Sequence, residues 1–225
     1  MLRQWLRYAG IALAAAAVPL LATEALAQSE QQQLVTKAQA TLSNFLRDPQ
    51  MTWLQQNIGH AKAVLIAPEV VKAGFIFGGS GGRAVLVARE AGKWRGPAFY
   101  TLATASVGFQ AGIQASENVT LVMTDKGLNT LLAPSMKVGG DASVAAGPVG
   151  AGASSDVTTD FVSFARAKGV YGGLNLDGTV ISVSNEWNNA YYGKSVLPPD
   201  IVVRGSVHNK QADPLLAEIA KAAKK

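Results

Sequence analysis

The glycine-rich stretch Gly78-Gly79-Ser80-Gly81-Gly82 contains the pattern G-x-S-x-G, which in hydrolases places a nucleophilic serine on a tight turn between a strand and a helix. Residues 83–88 alternate in the manner of a second strand and leave the serine without that helix. Neither histidine completes a triad, because His60 precedes the motif and His208 lies near the end of the chain. We therefore interpret the stretch as a glycine turn between two strands, expect no catalytic residue, and keep hydrolysis at Ser80 as an alternative.

The sequence also contains no convincing motif for binding a cofactor or a metal ion. The spacing Gly79-x-Gly81-x-x-Ala84 resembles a dinucleotide loop, but such a loop must open a helix. The chain has no cysteine, its two histidines are far apart, and no carboxylates show ligand spacing. Asp156 and Asp160 indicate a solvated loop or a cap. We expect no cofactor and no metal.

Basic residues are the stronger candidates for a site. Six of them lie in the first predicted strands and turns: Lys62, Lys72, Arg83, Arg89, Lys93 and Arg95. If the hairpins bring them together, they form a cationic patch for phosphate groups, each residue contributing on the order of 1 kcal/mol near an anionic membrane. Backbone amides of the glycine turn would add donors. The alternative is a solvated strand face with no ligand.

The N-terminus predicts export. Arg3 and Arg7 precede an apolar run over residues 11–21, and Ala25-Leu26-Ala27 follows as a cleavage site, which together indicate a secretory signal peptide over residues 1–27. A membrane anchor is the alternative, but a spanning helix needs roughly 20 apolar residues. Cleavage removes two positive charges and one negative charge, so the formal charge falls from +5 to +4. We expect a basic periplasmic or secreted protein with anionic partners, and no nucleic acid.

The elements follow from the period of the apolar residues. Spacing from Leu34 to Leu46 predicts an amphipathic helix, and Asp48-Pro49 opens a second one. Runs rich in β-branched and aromatic residues predict strands joined by hairpin turns at 61–67, 70–78, 83–90, 98–106 and 119–124. A helix is inserted at 125–132, and strand-like segments resume at 136–149 and 161–183, although residues 161–168 also fit a helix.

The end of the chain contains a predicted turn and a predicted helix. Tyr191-Tyr192-Gly193 indicates a closing turn, and Asp213-Pro214 opens a C-terminal helix. The predicted fold class is α+β: a twisted, mostly antiparallel sheet of hairpins with N-terminal helices, one inserted helix and a C-terminal helix. One domain covers residues 28–205, and residues 206–225 form a helical tail.

Several blocks in a fixed order resemble the SYLF-domain family. These blocks are A-K-A-V at 61–64, V-K-A-G-F-I-F-G-G-S-G-G at 71–82, W-R-G-P-A-F at 94–99, S-V-G-F-Q-A-G at 106–112, D-A-S-V-A-A-G-P-V-G at 141–150 and N-A-Y-Y-G at 189–193. The resemblance covers most of the chain from Leu34 to Gly193, and ordered blocks are more specific than any single motif.

The resemblance implies a lipid-binding protein. Eukaryotic members of this family bind phosphoinositides, some also bind and bundle actin, and bacterial members are exported and contact membrane lipid. For this chain we expect binding of anionic phospholipid in a bacterial envelope. Actin is not expected in that compartment, and a protein partner is the alternative. The first helix here carries only Lys37 and Arg47 as cations, unlike the basic N-terminal segment of eukaryotic members.

Overall fold

A computed structural model describes residues 29–74, 77–107, 112–150, 158–167, 170–172 and 178–224. These residues form an α+β structure, which confirms the predicted fold class. The helices are α1 (Glu30–Arg47), α2 (Thr52–Asn57), α3 (Asp125–Leu132), α4 (Asn185–Tyr192) and α5 (Asp213–Ala222). The strands are β1 (Ala63–Gly74), β2 (Phe77–Glu90), β3 (Lys93–Val107), β4 (Gly112–Val122), β5 (Ser135–Lys137), β6 (Val144–Ala146), β7 (Phe161–Ala167), β8 (Val170–Gly172) and β9 (Val180–Val183).

The strands of the described residues form one sheet in the order β5-β9-β3-β2-β1-β4-β7-β6, with β8 paired to β7. All pairs are antiparallel except β6 with β7. The chain does not follow a simple series of hairpins, because β4 pairs with β1 and not with β3. The four long strands β3, β2, β1 and β4 are therefore the centre of the sheet.

Local signals mark the starts of the first two helices. The first helix was predicted from Leu34, and α1 begins four residues earlier, at Glu30. The Ser29 hydroxyl accepts a hydrogen bond from the Gln32 amide at the start of α1, and Asp48 caps the 3-10 turn that begins at Pro49. A side-chain oxygen at this position satisfies an amide that has no partner within the helix. The predicted inserted helix has the observed bounds of α3, and residues 161–167 are a strand.

Both faces of the sheet are covered. One face, which we call the helix face, packs against α1, α2, α4 and α5 through a core that includes Phe45, Leu54, Phe99 and Phe164. The opposite face packs against α3 and a π-helical turn at Pro199–Val203. Leu215 and Ile219 of α5 are fully buried on the helix face, so the predicted boundary at residue 205 is not a break in packing.

Two of the predicted local conformations are wrong. The closing turn predicted at Tyr191-Tyr192-Gly193 is the end of α4, which Gly193 terminates with a φ of 68°; glycine adopts this left-handed conformation without steric cost. The strands predicted at 61–67 and 70–78 join over residues 63–74 into one strand, β1, which is interrupted in register between Ala67 and Val70. Residues 77 and 78 belong to β2. A β-bulge of this kind bends a strand without ending it.

Asp160 also differs from its predicted environment. The residue is only 6% exposed, and its carboxylate accepts hydrogen bonds from Thr124 and Ser143. It therefore connects the start of α3 to the segment before β6, and it is not part of a solvated loop. The predicted signal peptide and Asp156 lie outside the described residues.

Candidate functional site

The glycine turn predicted at Gly78, Gly79, Ser80, Gly81 and Gly82 is wrong, because all five residues lie inside β2. They pair with β1 on one side and with β3 on the other, so that Ser80 stands opposite Lys72 and Thr104. The chain continues as a strand to Glu90, and no helix follows the serine. Ser80 therefore lacks the strand–turn–helix geometry that exposes a nucleophile in the hydrolases with this motif.

Close backbone packing explains why residue 82 is a glycine. A Cβ atom built there would lie 2.5 Å from the carbonyl oxygen of Glu69, which is closer than real Cβ contacts allow. Glu69 belongs to the bulge of β1, where the backbone comes close to β2. Glycine permits this approach because it has no Cβ.

The register of the sheet divides the six predicted cations into two groups. Lys62, Arg89, Lys93 and Arg95 lie where β1 begins, β2 ends and β3 begins. Lys72 and Arg83 lie toward the other end of the strands, since Lys72 is ten residues further along the chain than Lys62. Ten residues of strand span roughly 33 Å. The six cations therefore do not form one patch.

Within the first group, three residues have structural contacts. Lys62 Nζ lies 3.0 Å from Oδ1 of Asp125. Arg89 donates a hydrogen bond of 2.7 Å from Nη1 to the carbonyl oxygen of Gly59, and Arg95 donates one to the carbonyl oxygen of Val203. Each guanidinium has five N–H donors, so these bonds leave donors for an anion.

Gly59 also brings the C-terminus to this end of the molecule. A Cβ atom at Gly59 would lie 2.8 Å from the carbonyl oxygen of Ala223, just after α5. The end of α5 therefore lies at the same residue, Gly59, that Arg89 contacts. Exposed lysines stand in the last turn of α5, at Lys221, and just after it, at Lys224. We define the basic end as Lys62, Arg89, Lys93, Lys221 and Lys224, with Glu90 and Asp125 as its nearby carboxylates.

Lys221 and Lys224 were missed as site residues. The sequence places them at the end of the C-terminal helix, where cations complement the helix dipole. Nothing in the sequence indicates that this turn meets Gly59, since the two are joined only by the tertiary packing.

The second group has a different environment. The Arg83 guanidinium carbon lies 3.9 Å from the ring centroid of Trp187, a cation–π contact that ties β2 to α4. Lys72 is exposed on the opposite face of the sheet, beside Ser80 and Gln114. Neither residue contributes to the basic end.

The described part of the chain shows no group of three or more His, Asp or Glu side chains that could hold a metal ion. His208 Nε2 lies 3.1 Å from Oδ1 of Asp213, and His60 lies at the end of α2. None of the described helices is both long enough and apolar enough to cross a membrane.

Known proteins resemble this chain over most of its length. A family model described as "Ysc84: Las17-binding protein actin regulator" matches residues 103–222. Protein YSC84 of Saccharomyces cerevisiae is 30% identical over 193 residues, which are 80% of this chain and 41% of that protein. LAS seventeen-binding protein 3 of the same species is 30% identical over 170 residues, 70% of this chain and 37% of that protein.

A human protein shows the same likeness. SH3 domain-containing YSC84-like protein 1 of Homo sapiens is 28% identical over 164 residues, which are 70% of this chain and 48% of that protein. The chain therefore spans less than half the length of these relatives.

Proposed function

This chain belongs to the Ysc84, or SYLF-domain, family, and we propose that it is a non-catalytic protein that binds anionic phospholipid surfaces through the basic end. The observation that carries the proposal is the meeting of three strand ends and the end of α5 at Gly59. That meeting brings Arg89 and the end of α5, which carries Lys221 and Lys224, to the same residue, and Lys62 and Lys93 lie at the strand ends of the same side of the sheet. A cationic surface of this kind attracts anionic headgroups.

The contacts of the basic end support binding over a purely structural role. Lys93, Lys221 and Lys224 are exposed, and Arg89 is held in place by Gly59 while keeping free N–H donors. The Arg89 guanidinium carbon also lies 5.7 Å from the ring centroid of Trp94, and this contact helps to fix its position. Phosphate groups would therefore meet a partly preorganised site.

Liposome co-sedimentation tests the proposal. The protein should pellet more strongly with vesicles that contain phosphatidylglycerol than with pure phosphatidylcholine vesicles, and high salt should remove most of this difference because exposed charges are screened. Equal and negligible pelleting with both vesicle types would contradict the proposal.

A charge-matched pair of variants locates the site. Lys93, Lys221 and Lys224 are changed to Glu in one protein, and the exposed residues Lys137, Lys194 and Lys210 are changed to Glu in the control. At about 1 kcal/mol for each lysine, the first variant should bind anionic vesicles at least about a hundredfold more weakly. The control has the same net charge and should keep most of the affinity. Equal losses would show that only net charge matters.

The compartment is part of the proposal. The predicted signal peptide would place the mature protein in the periplasm or outside the cell, where anionic phospholipid is present and actin is not. N-terminal sequencing of the protein from its own cells tests this point. A mature chain that begins just after Ala27 supports export, and an intact Met1 contradicts it.

A protein-binding role is the second candidate. The family description names Las17 binding, and the structure adds one observation. Among the described residues, 104–107 of β3 pair only with β2 and 112–115 of β4 pair only with β1, so the outer edge of each segment has no strand partner. An open edge can accept a strand from a partner. A partner from an envelope extract that stays bound at high salt and is lost with proline at position 114 would favour this role.

A further inference from the structure

The long central strands continue beyond the helices that cover them. Lys37 of α1 reaches the sheet at Glu69, 3.6 Å away, and Trp187 of α4 reaches it at Arg83. Beyond Glu69 and Arg83 the four strands continue as an extension, which we call the arm. The arm consists of the described residues 71–73, 79–81, 103–105 and 113–115.

Alternation along the strands gives the arm two different faces. On the side of the sheet that carries Arg83 and Trp187, cross-strand pairing brings together eight residues: Val71, Ala73, Gly79, Gly81, Ala103, Ala105, Ile113 and Ala115. We call this set the arm face, and it contains no hydrogen-bonding side chain. The other side carries Lys72, Ser80, Thr104 and Gln114. The arm is therefore amphipathic as a sheet.

The arm face is exposed. Ile113 is 77% exposed and Val71 is 38% exposed, and the four alanines are exposed as well. Single apolar residues at a surface are ordinary, but a contiguous apolar set marks a contact surface.

The dimensions of the arm face limit what can cover it. Over the described residues, four strands and two side-chain rows give an area of roughly 250 Å². A stable interface with a second copy needs about 800 Å² on each partner, which is several times more. A lipid surface sets no such minimum and requires no specific hydrogen bonds, so it matches a small face of aliphatic side chains.

We propose that the arm face is a second membrane-contacting surface, which lies in the interfacial layer of the bilayer and binds by apolar burial independently of charge. The open edges of the arm set the depth, because unpaired backbone groups are not tolerated in the hydrocarbon core. At a depth of about 5–10 Å, headgroups and water still satisfy them. The lipid class rests on the proposed function, but the surface and its chemistry differ from those of the basic end.

The absence of cysteine from the chain allows a direct test with single labels. Ile113→Cys and Gln114→Cys place an environment-sensitive fluorophore on neighbouring residues that face opposite sides of the arm. Both labelled full-length proteins are mixed with phosphatidylcholine vesicles, and with vesicles that also contain phosphatidylglycerol, at low and high salt.

We expect the label at position 113 to brighten severalfold and shift to shorter wavelength with both vesicle types, with little effect of salt. The label at position 114 should change little. Quenchers attached near the headgroups should act on position 113 more strongly than quenchers deep in the acyl chains. A double variant, Val71→Ser with Ile113→Ser, should lose about tenfold of the salt-resistant binding, while its unchanged thermal unfolding shows that the fold is kept.

The possible failures are distinguishable. If the protein pellets with anionic vesicles while the label at position 113 stays in water, the inference is wrong and the proposed function stands. If the label responds to phosphatidylcholine vesicles but anionic lipid adds no binding, the inference stands and the basic end has no such role. A shift that grows with protein concentration without lipid would assign the arm face to a second copy and overturn the inference, as would no response to any vesicle.

Discussion

Asp160 provides a quantitative test of the structure, because its buried carboxylate depends on a small set of hydrogen bonds. It accepts bonds from Thr124 Oγ1 at 2.5 Å, from the Ser143 amide at 2.9 Å and from Ser143 Oγ at 2.8 Å. The bond from Thr124 is the largest of the causes that lower the pKa of Asp160 from 3.8 to about 2. Lys126, 3.5 Å away, lowers it further, whereas burial opposes the shift.

The pKa shift is also a contribution to stability. A carboxylate with a lowered pKa in the folded state stabilises the protein above its unfolded pKa, and the contribution is lost as the pH falls through the folded value. A decrease in pKa from 3.8 to about 2 corresponds to about 2 kcal/mol at neutral pH, at about 1.4 kcal/mol for each pH unit.

Asp160→Asn removes the charge and nearly keeps the shape. The variant should unfold with about 2 kcal/mol less free energy than the parent at pH 7. This difference should decrease below pH 4 and be largely lost at pH 2. Urea unfolding of both proteins, followed by circular dichroism between pH 7 and pH 2, measures this difference in unfolding free energy. The contributions of the other titrating groups cancel, because both proteins contain them.

The control is Asp125→Asn, which changes an exposed carboxylate in the first turn of α3, the helix whose cap, Thr124, donates to Asp160. It should cost at most about 1 kcal/mol, the range of an exposed ion pair. A difference for Asp160→Asn that is the same at every pH would refute the reasoning, because it would show a loss of packing and not of a stabilised charge.

Substitutions at three other positions test the packing. Gly82→Ala should destabilise the protein by about 1–3 kcal/mol, measured by urea unfolding, because its Cβ would meet the Glu69 carbonyl; an unchanged midpoint would contradict the close approach. Leu215→Ala should cost about 2–5 kcal/mol because α5 is part of the core, and a loss below 1 kcal/mol would make it a loosely attached tail. Arg83→Ala should cost about 0.5–1 kcal/mol and Arg83→Lys less; equal costs for the two, or none for either, would show that the Trp187 contact adds no stability.

The helices were predictable because their signals are local. Asp48-Pro49 opens its helical segment in the structure as the sequence indicated, and the inserted helix has its predicted bounds, with Thr124 as its cap. α4 was missed because Asn188, Asn189 and Gly193 together resemble a turn. In the structure Asn188 is buried, and its Oδ1 accepts a hydrogen bond from the amide of Phe99, a partner that lies far away in the sequence.

The prediction for residues 78–82 failed for a related reason. Glycine and serine have no side-chain pattern that distinguishes a turn from a strand, and both conformations are open to them. The ladders with β1 and β3 decide the conformation. Ser80 became a strand residue because its backbone hydrogen bonds come from segments on both sides.

By itself the sequence determined the fold class, the starts of most helices, the approximate strands and the family to which the chain is similar. These depend on side-chain periodicity and caps, which act over a few neighbouring residues. Tertiary structure alone decided that the six predicted cations lie in two separate groups. It also decided that the end of α5 and Arg89 both contact Gly59, and that eight apolar residues form the arm face. These arrangements depend on strand register and on close backbone contacts, which bring together residues that the chain keeps far apart.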